Sequence, residues 1–298
     1  MNLLEIKVKG KKYELEIDQA KIILLADPAI PYIINQTIKH ILEKEEVSEF
    51  EEEQNSVSSV YWNEQKIEVK RWNFFYLSPH FDLNDDLKLG SKSLVLSYLE
   101  SNLREIEYSD AFTMLNQSIE VLNQEFIEEN TLTKLDDLVL KGRLKQFTLK
   151  SLVKFLEIQM CLEDSSCKDF DLPIDLKVSL LFRIVSTIAK KNPERSFIVV
   201  VDKGRMTSIE FSAFKDDIPK NMVVIVMATS LLGSFDSNQV ILSNKGFIDL
   251  GSQEQRFISL IQDHGISEDP ILLTAQLTTL FTDTMLHGNE INQILRRI

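Results

Sequence analysis

The chain has 298 residues, and 33 lysines and arginines against 46 aspartates and glutamates give it a formal net charge of −13. This charge argues against an ordinary basic nucleic-acid-binding domain and against a polybasic membrane-surface protein. Apolar residues make up 44% of the chain, which is enough for one large core or two smaller ones. The uninterrupted apolar runs are far shorter than the roughly 20 residues of a membrane helix, and the first residues lack the apolar segment of a signal peptide. We therefore expect a cytoplasmic protein that makes no membrane contact.

The first 79 residues predict strands and one helix. Apolar residues alternate on either side of Gly10, which predicts a hairpin, and the apolar run at residues 22–25 predicts a buried strand. Apolar residues at helical spacing then predict a helix over residues 30–41. A turn at residues 63–64 separates two further strand segments, which end near Pro79.

Helical spacing dominates the middle of the chain. Apolar residues three and four apart over residues 112–126 predict a long helix with a narrow apolar seam. Such a seam packs against a neighbouring helix of the same chain or of another subunit. Residues 149–160 repeat the spacing and predict an antiparallel return. The acidic stretch that follows predicts a loop, in which we expect Cys161 and Cys167 to be free thiols.

The last part of the chain resumes an alternation of strands and helices. Residues 176–191 predict a helix, and the β-branched runs at residues 197–201 and 223–227 predict strands buried on both faces of a parallel sheet. The 21 residues between these runs have room for a crossover helix. The predicted fold class is α/β, with a largely parallel sheet.

The order of these segments divides the chain into three parts. We predict a discontinuous α/β head domain from residues 1–90 and 171–251, with an α-helical leg inserted at residues 91–170. Residues 252–298 predict a C-terminal helical appendix that packs on the leg.

No catalytic constellation stands out in the sequence. The segment ADPAIPY, at residues 26–32, lies where a nucleotide-binding domain would place its phosphate loop, but it contains neither glycine nor lysine. Asp202 follows a buried strand, where an aspartate either holds Mg²⁺ in an NTPase or, more commonly, caps the next turn. The four histidines lack the spacing of a zinc site. We therefore expect a protein that is not an enzyme and binds no nucleotide.

Basic residues form two short strips in this acidic chain. Lys66, Lys70 and Arg71 lie close in sequence to Trp62 and Trp72. The second strip is on the N-terminal hairpin and consists of Lys7, Lys9, Lys11 and Lys12. A positive strip on an acidic protein can contact phosphates if the fold gathers its side chains. The alternative for both strips is an ordinary solvated surface.

The succession of segments resembles the ring-forming spacer-acquisition proteins of type II-A CRISPR-Cas systems, the Csn-type family that binds the ends of duplex DNA. The resemblance is carried by the N-terminal hairpin and four segments: IILLADPAIPYIINQTIKHIL, SVYWNEQKIEVKRWNFFYLSPHFDL, SLVLSYLESNLREIEYSDAFTMLNQSIEVLNQEF, and LLFRIVSTIAKKNPERSFIVVVDKGRMTSIEFSAF with VVIVMATS. It covers roughly residues 1–250. It rests on the order of the predicted strands and helices and on the pattern of apolar residues within them.

This resemblance implies a fold and a function. It implies a phosphate-loop-NTPase-like head domain that has lost NTP hydrolysis, a helical leg, and a homotetrameric ring. The lysine-lined hole of that ring would take double-stranded DNA, and the CRISPR integrase and effector proteins would be its partners. The remaining alternatives are a divergent NTPase and a protein-only scaffold whose acidic surface docks basic partners.

The resemblance also implies candidate binding residues. It assigns DNA contacts at the rim of the hole to Lys66, Lys70 and Arg71, and the hairpin residues Lys9, Lys11 and Lys12 are further candidates. Members of the family bind calcium through an acidic stretch of the leg. The matching residues are Glu128, Glu129 and Asp136, in a stretch interrupted by Thr131, Thr133 and Lys134.

Overall fold

The computed structural model describes most of the chain up to Asp249. The described residues are 2–8, 11–25, 29–43, 59–68, 70–90, 92–103, 105–129, 131–135, 138–141, 144–162, 165–233, 235–243 and 247–249. They form two compact units, one built from the residues up to Phe81 and those from Pro173 onwards, the other from Asp82–Leu172. The predicted appendix at residues 252–298 lies outside the described residues.

The strands and helices are numbered in chain order. The strands are β1 (Asn2–Val8), β2 (Lys11–Ile17), β3 (Ala20–Leu25), β4 (Ser59–Trp62), β5 (Gln65–Lys66), β6 (Trp72–Leu77), β7 (Thr131–Leu135), β8 (Leu138–Lys141), β9 (Cys161–Leu162), β10 (Ser165–Ser166), β11 (Ser196–Asp202), β12 (Arg205–Thr207), β13 (Met222–Ala228), β14 (Ser230–Leu232), β15 (Val240–Ser243) and β16 (Phe247–Asp249). The α-helices are α1 (Ala29–Glu43), α2 (Leu83–Asp86), α3 (Leu94–Asn102), α4 (Ser109–Glu129), α5 (Leu149–Lys154), α6 (Ile174–Lys191) and α7 (Ser208–Asp216).

A six-stranded sheet forms the centre of the first unit. Its strand order is β16-β15-β3-β13-β11-β6, and its strands are parallel except for β16, which is antiparallel to β15. The β-branched runs of β11 and β13 lie side by side and are buried along nearly their whole length. The predicted α/β class with a largely parallel sheet is therefore confirmed.

A buried ion pair connects the middle of this sheet with its antiparallel edge strand. The Nζ atom of Lys21 on β3 lies 2.7 Å from the carboxylate of Asp249 on β16 and donates to the carbonyl of Asn238 at 2.7 Å. Both charged side chains are almost fully buried. Removing one partner of such a pair is costly because it leaves an uncompensated charge in the interior.

One face of the central sheet carries the N-terminal hairpin and α1. Strands β2, β1, β4 and β5 form a four-stranded antiparallel sheet whose apolar residues share one core with α1 and the central sheet. The β4–β5 turn has Asn63 and Glu64 at φ values of 48° and 67°. Two residues in the left-handed region suit the strand twist of a two-residue hairpin, and the predicted turn at residues 63–64 is confirmed.

Helices α6 and α7 complete the first unit. Helix α6 contacts β6 and β11, and the rings of Phe182 on α6 and Phe214 on α7 meet edge to face with their centroids 4.4 Å apart. Helix α7 begins with a capping box, in which the Thr207 hydroxyl accepts from the Glu210 amide and the Glu210 carboxylate accepts from the Thr207 amide. It is the crossover helix predicted between β11 and β13.

The second unit is built around α4. The side-chain amides of Asn116 and Asn123 each exchange two hydrogen bonds with the backbone of a neighbouring segment, at Phe147 and Leu144 respectively, over 2.6–3.1 Å. These bonds hold residues 144–147 along one face of α4.

One sequence prediction for this unit is wrong. The predicted return helix over residues 149–160 ends at Lys154, and the carbonyl of Met160 instead accepts from the amide of Cys167 next to the short β9–β10 hairpin. Apolar residues at helical spacing continue beyond Lys154, but the helix does not. Strands β7 and β8 form a second hairpin in this unit. The expected free thiols are confirmed, since Cys161 and Cys167 are both unbridged.

Candidate nucleic-acid interface

The Lys66–Arg71 strip connects the β4–β5 hairpin to β6. Ile67 is buried, and its amide donates to the carbonyl of Val60 at 2.9 Å, which anchors the strip at its start. The carbonyl of Glu68 accepts from the amide of Arg71 at 3.0 Å and closes a turn before β6. This backbone path leaves the side chains of Lys66, Lys70 and Arg71 exposed.

The charges of this strip are weakly compensated. Within the described residues, no carboxylate lies within 4 Å of the ammonium groups of Lys66 and Lys70. The Nε atom of Arg71 is 3.8 Å from the carboxylate of Glu68, and both side chains are more than two-thirds exposed. Ion pairs at such exposed positions contribute little, so the positive charge of the strip is available to a ligand.

The two tryptophans beside the strip pack on each other. The rings of Trp62 and Trp72 are tilted by 58° with their centroids 5.6 Å apart, and both side chains are partly buried against the core of the first unit. Tilted aromatic pairs of this kind stabilise packing. Their role is to fix β4 and β6 beneath the basic strip.

The hairpin strip has its own acidic partners. Lys12 lies 2.6 Å from the carboxylates of both Glu5 and Glu14, and Lys7 lies 2.8 Å from Glu5. Hydrogen bonds from Lys12 and Lys7 hold the pKa of Glu5 below its ordinary value. Hydrogen bonds to Glu14 and Glu5 raise the pKa of Lys12. Lys7 and Lys12 are thus both paired with carboxylates of the hairpin itself.

Several predicted site residues lie outside what the structure describes. Lys9 and Asp136 are not among the described residues, and only the backbones of Lys11, Glu128 and Glu129 are described, the first on β2 and the other two at the end of α4. No group of three or more histidine, cysteine, aspartate or glutamate side chains with metal-binding geometry occurs within the described part of the chain. Calcium binding at Glu128, Glu129 and Asp136 stays a prediction.

Asp202 lies at the carboxyl end of β11, the edge at which open α/β sheets bind ligands. Its Oδ2 atom accepts a hydrogen bond of 2.6 Å from the phenol of Tyr76 on β6. Burial, together with this hydrogen bond and the negative charge of Asp202, raises the pKa of Tyr76. The described bond of the carboxylate is therefore to Tyr76 and not to the backbone of the next turn, as a cap would require. No pattern in the sequence indicated Tyr76, although its strand is paired with β11.

A second polar cluster follows directly in the chain. Lys203 is only 4% exposed, and its Nζ atom lies 2.7 Å from Glu210 and 3.2 Å from Asp175. Burial opposes ionisation of Glu210, but hydrogen bonds from Lys203 and Thr207 outweigh it and hold the pKa of Glu210 below its ordinary value. Lys203 and Glu210 line a cleft of about 340 Å³ between α6 and α7. No sequence signal had singled out the cluster, because its members come from three separate segments.

The fold and these clusters define an α/β protein with a mostly parallel central sheet, no phosphate-loop motif in its sequence, and an exposed basic strip beside the edge strand β6. No helix among the described residues has the length and apolar character needed to cross a membrane.

Comparison with known proteins identifies a structural relative. The crystal structure of Stu0660 of Streptococcus thermophilus superimposes with a TM-score of 0.68 and 14% sequence identity, over 94% of this chain and 86% of that one. No protein-family model matches the sequence, and no curated protein matches it. At 14% identity the likeness establishes a shared fold, and the family resemblance beyond the fold stays a prediction.

Proposed function

We propose that the protein is a non-enzymatic, ring-forming protein that binds the ends of double-stranded DNA in CRISPR spacer acquisition, together with the integrase and effector proteins. The observation that carries this proposal is the exposed and weakly compensated strip of Lys66, Lys70 and Arg71. The element order of the Csn-type family and the fold shared with Stu0660 support it. The proposal includes no nucleotide cofactor.

Electrostatics favour the Lys66–Arg71 strip over the hairpin as the DNA contact. Binding to a duplex releases counterions from the phosphates that a protein neutralises, so each available cation adds to affinity. Lys7 and Lys12 already neutralise Glu5 and Glu14, and their transfer to phosphate would leave those carboxylates uncompensated. Within the described residues, Lys66 and Lys70 have no carboxylate within 4 Å, so their binding to phosphate would leave no carboxylate uncompensated.

The environment of Asp202 supports a function without NTP hydrolysis. Mg²⁺-dependent phosphoryl transfer needs a carboxylate that is free to hold the metal and a loop that cradles the phosphates. The Asp202 carboxylate is engaged by Tyr76, and residues 26–32 contain neither glycine nor lysine. The divergent NTPase is therefore the less favoured alternative.

An exposed apolar face on α4 supports self-association. Met114 is 70% exposed, Val121 54%, Leu122 46% and Leu115 45%. Leu115 and Leu122 are seven residues apart, the heptad spacing of helices that pair. A homotetramer would bury these side chains against another copy of the same helix, in the manner of the self-complementary contacts of symmetric oligomers.

The experiment that tests the proposed DNA contact removes two charges from the strip. In K66A/K70A, binding of a linear duplex should be weakened for every sequence, because the contacts are to phosphates. The logarithm of the binding constant should also fall less steeply with salt, by about 0.9 per lost contact for each decade of salt concentration. Fluorescence anisotropy over a salt series measures both quantities.

K7A/K12A is the matched control because it removes two lysines from the paired hairpin strip. It should retain the wild-type salt slope. If K66A/K70A keeps the affinity and slope of the wild type while the control loses them, the DNA is held by the hairpin. If the wild-type protein fails to bind duplex DNA at low salt, the proposed function is wrong.

A further inference from the structure

The amino ends of three neighbouring strands, β6, β11 and β13, meet at one edge of the central sheet. Backbone hydrogen bonds hold together the segments that precede them. The amide of Ser196 donates to the carbonyl of Arg71 at 2.9 Å, and the amide of Phe197 donates to the carbonyl of Asn221 at 2.8 Å. Arg71, the last residue of the basic strip, therefore lies next to the segment that leads into β11, and that segment lies next to the one that leads into β13.

The end of α6 is fixed at the same edge by Asn221. Its side-chain amide donates to three carbonyl oxygens at distances of 2.9 to 3.0 Å, those of Ala189, Asn192 and Arg195. These carbonyls belong to the last turn of α6 and the loop that follows it. The clamp therefore orders the backbone around Lys191 and Arg195 and satisfies carbonyls that a helix end otherwise exposes.

Three further cations are exposed along this edge. Lys191 ends α6, Arg195 precedes β11 and Lys220 precedes β13. Within the described residues, none of the three has a carboxylate within 4 Å. Lys190, at the same helix end, has its Nζ atom 3.8 Å from the carboxylate of Asp217.

Carboxylates at this edge are fewer than the cations. Glu68 faces Arg71 at 3.8 Å, and Glu194 is an exposed neighbour of Arg195. The charges at the end of α7 are mixed, since Lys215 precedes Asp216 and Asp217. Asp18 precedes β3, which lies beyond β13 in the sheet.

We propose that Lys191, Arg195 and Lys220 extend the Lys66–Arg71 strip into one phosphate-binding track along the amino edge of the parallel sheet. This inference rests on the proposed DNA binding, and the ligand is the phosphodiester backbone of a duplex. Neighbouring strands are about 4.8 Å apart, so the cations from β6 to β13 are distributed over roughly 10 Å. That span is comparable to the roughly 12 Å width of a major groove, so the track reaches phosphates on both sides of it.

The test compares two double variants that lose the same charge. K191Q/R195Q removes two cations of the track, whereas R183Q/R205Q removes two exposed cations of the same unit, one in the middle of α6 and one on β12. Duplex binding is measured by anisotropy over a salt series. We expect K191Q/R195Q to bind about tenfold more weakly or worse near 0.1 M salt and to have a shallower salt slope, because each lost contact removes about 0.9 from that slope. R183Q/R205Q should retain the wild-type slope.

A conservative variant separates phosphate binding from a structural role at the helix end. K191R/R195K retains both charges and should retain the wild-type slope, and all three variants should unfold at the wild-type temperature. If K66A/K70A weakens binding while K191Q/R195Q behaves like R183Q/R205Q, the track is wrong and the proposed DNA contact stands. If the wild-type protein binds no duplex, both are overturned.

Discussion

Ion pairing decides which lysines can bind a phosphate. Lys12 and Lys66 are both exposed, and both belong to basic strips. Lys12 forms ion pairs with two glutamates, whereas Lys66 has no carboxylate within 4 Å in the described part of the chain. The difference arises from strand register. Glu5 is opposite Glu14 and Lys7 is opposite Lys12, so the four side chains share one face of the hairpin. Composition alone cannot separate the two strips, because it carries no information on register.

Glu210 should make the stability of the first unit depend on pH. Its pKa is lowered below 4.5 in the folded protein, so its ionised form stabilises the fold above pH 4.5, and this contribution is lost as the pH falls through the lowered pKa. In E210Q, Lys203 retains Asp175 as a carboxylate partner but loses the closer one. We expect a smaller free energy of unfolding at pH 7 than in the wild type. Urea titrations should show that this difference shrinks as the pH falls below 4.5.

E194Q is the control for this prediction, because Glu194 is exposed. It should unfold like the wild type at every pH. The free energies of unfolding of E210Q and the wild type could instead differ by the same amount from pH 7 down to the lowest pH at which both fold. That result would mean that the charge of Glu210 contributes no stability.

Among the secondary-structure elements, α4 has two unlike faces. One face is joined to residues 144–147 through Asn116 and Asn123. Another face exposes the apolar side chains of Met114, Leu115 and Leu122. An exposed apolar patch of this kind commonly marks a protein–protein contact.

Charges placed on the apolar face of α4 should break the proposed homotetramer. In L115E/L122E, association would have to bury two carboxylates per subunit without partners, which is unfavourable. We expect a monomer of about 34.4 kDa by light scattering at micromolar concentrations. The control Q117E/Q124E adds the same charge at exposed polar positions of α4 and should remain a tetramer. Tetramers of both variants would show that subunits meet elsewhere.

The sequence predicted elements well where one periodicity was dominant. The β-branched runs of β11 and β13 and the apolar face of α6 have one consistent pattern each, and all three were found. The pattern failed at residues 155–160, which continue the helical spacing of apolar residues but lie beyond the end of α5, and of which Met160 bonds to Cys167 next to a hairpin. Helical spacing gives no information on the competing strand contacts, which depend on the folded chain.

At the scale of the whole molecule, an acidic protein concentrates positive charge on one part of its surface. The formal charge of −13 would repel DNA in general, whereas the exposed cations of the basic strip and of the proposed track would attract phosphates locally. The sequence predicted the strip but missed the extension along the edge. More than a hundred residues of the chain separate Lys70 from Arg195 and Lys220, and the order of the parallel strands brings their segments together.

A closed ring can be threaded only by a DNA molecule that has a free end. The most direct test of the proposed function therefore compares a linear duplex with a covalently closed circle of the same sequence and length, at two salt concentrations. We predict that the wild-type protein binds the linear duplex tightly at the lower salt, less tightly at the higher salt, and binds the closed circle poorly at both. Cutting the circle once should restore binding. Equal affinity for the circle before and after that cut would contradict a ring that loads onto DNA ends.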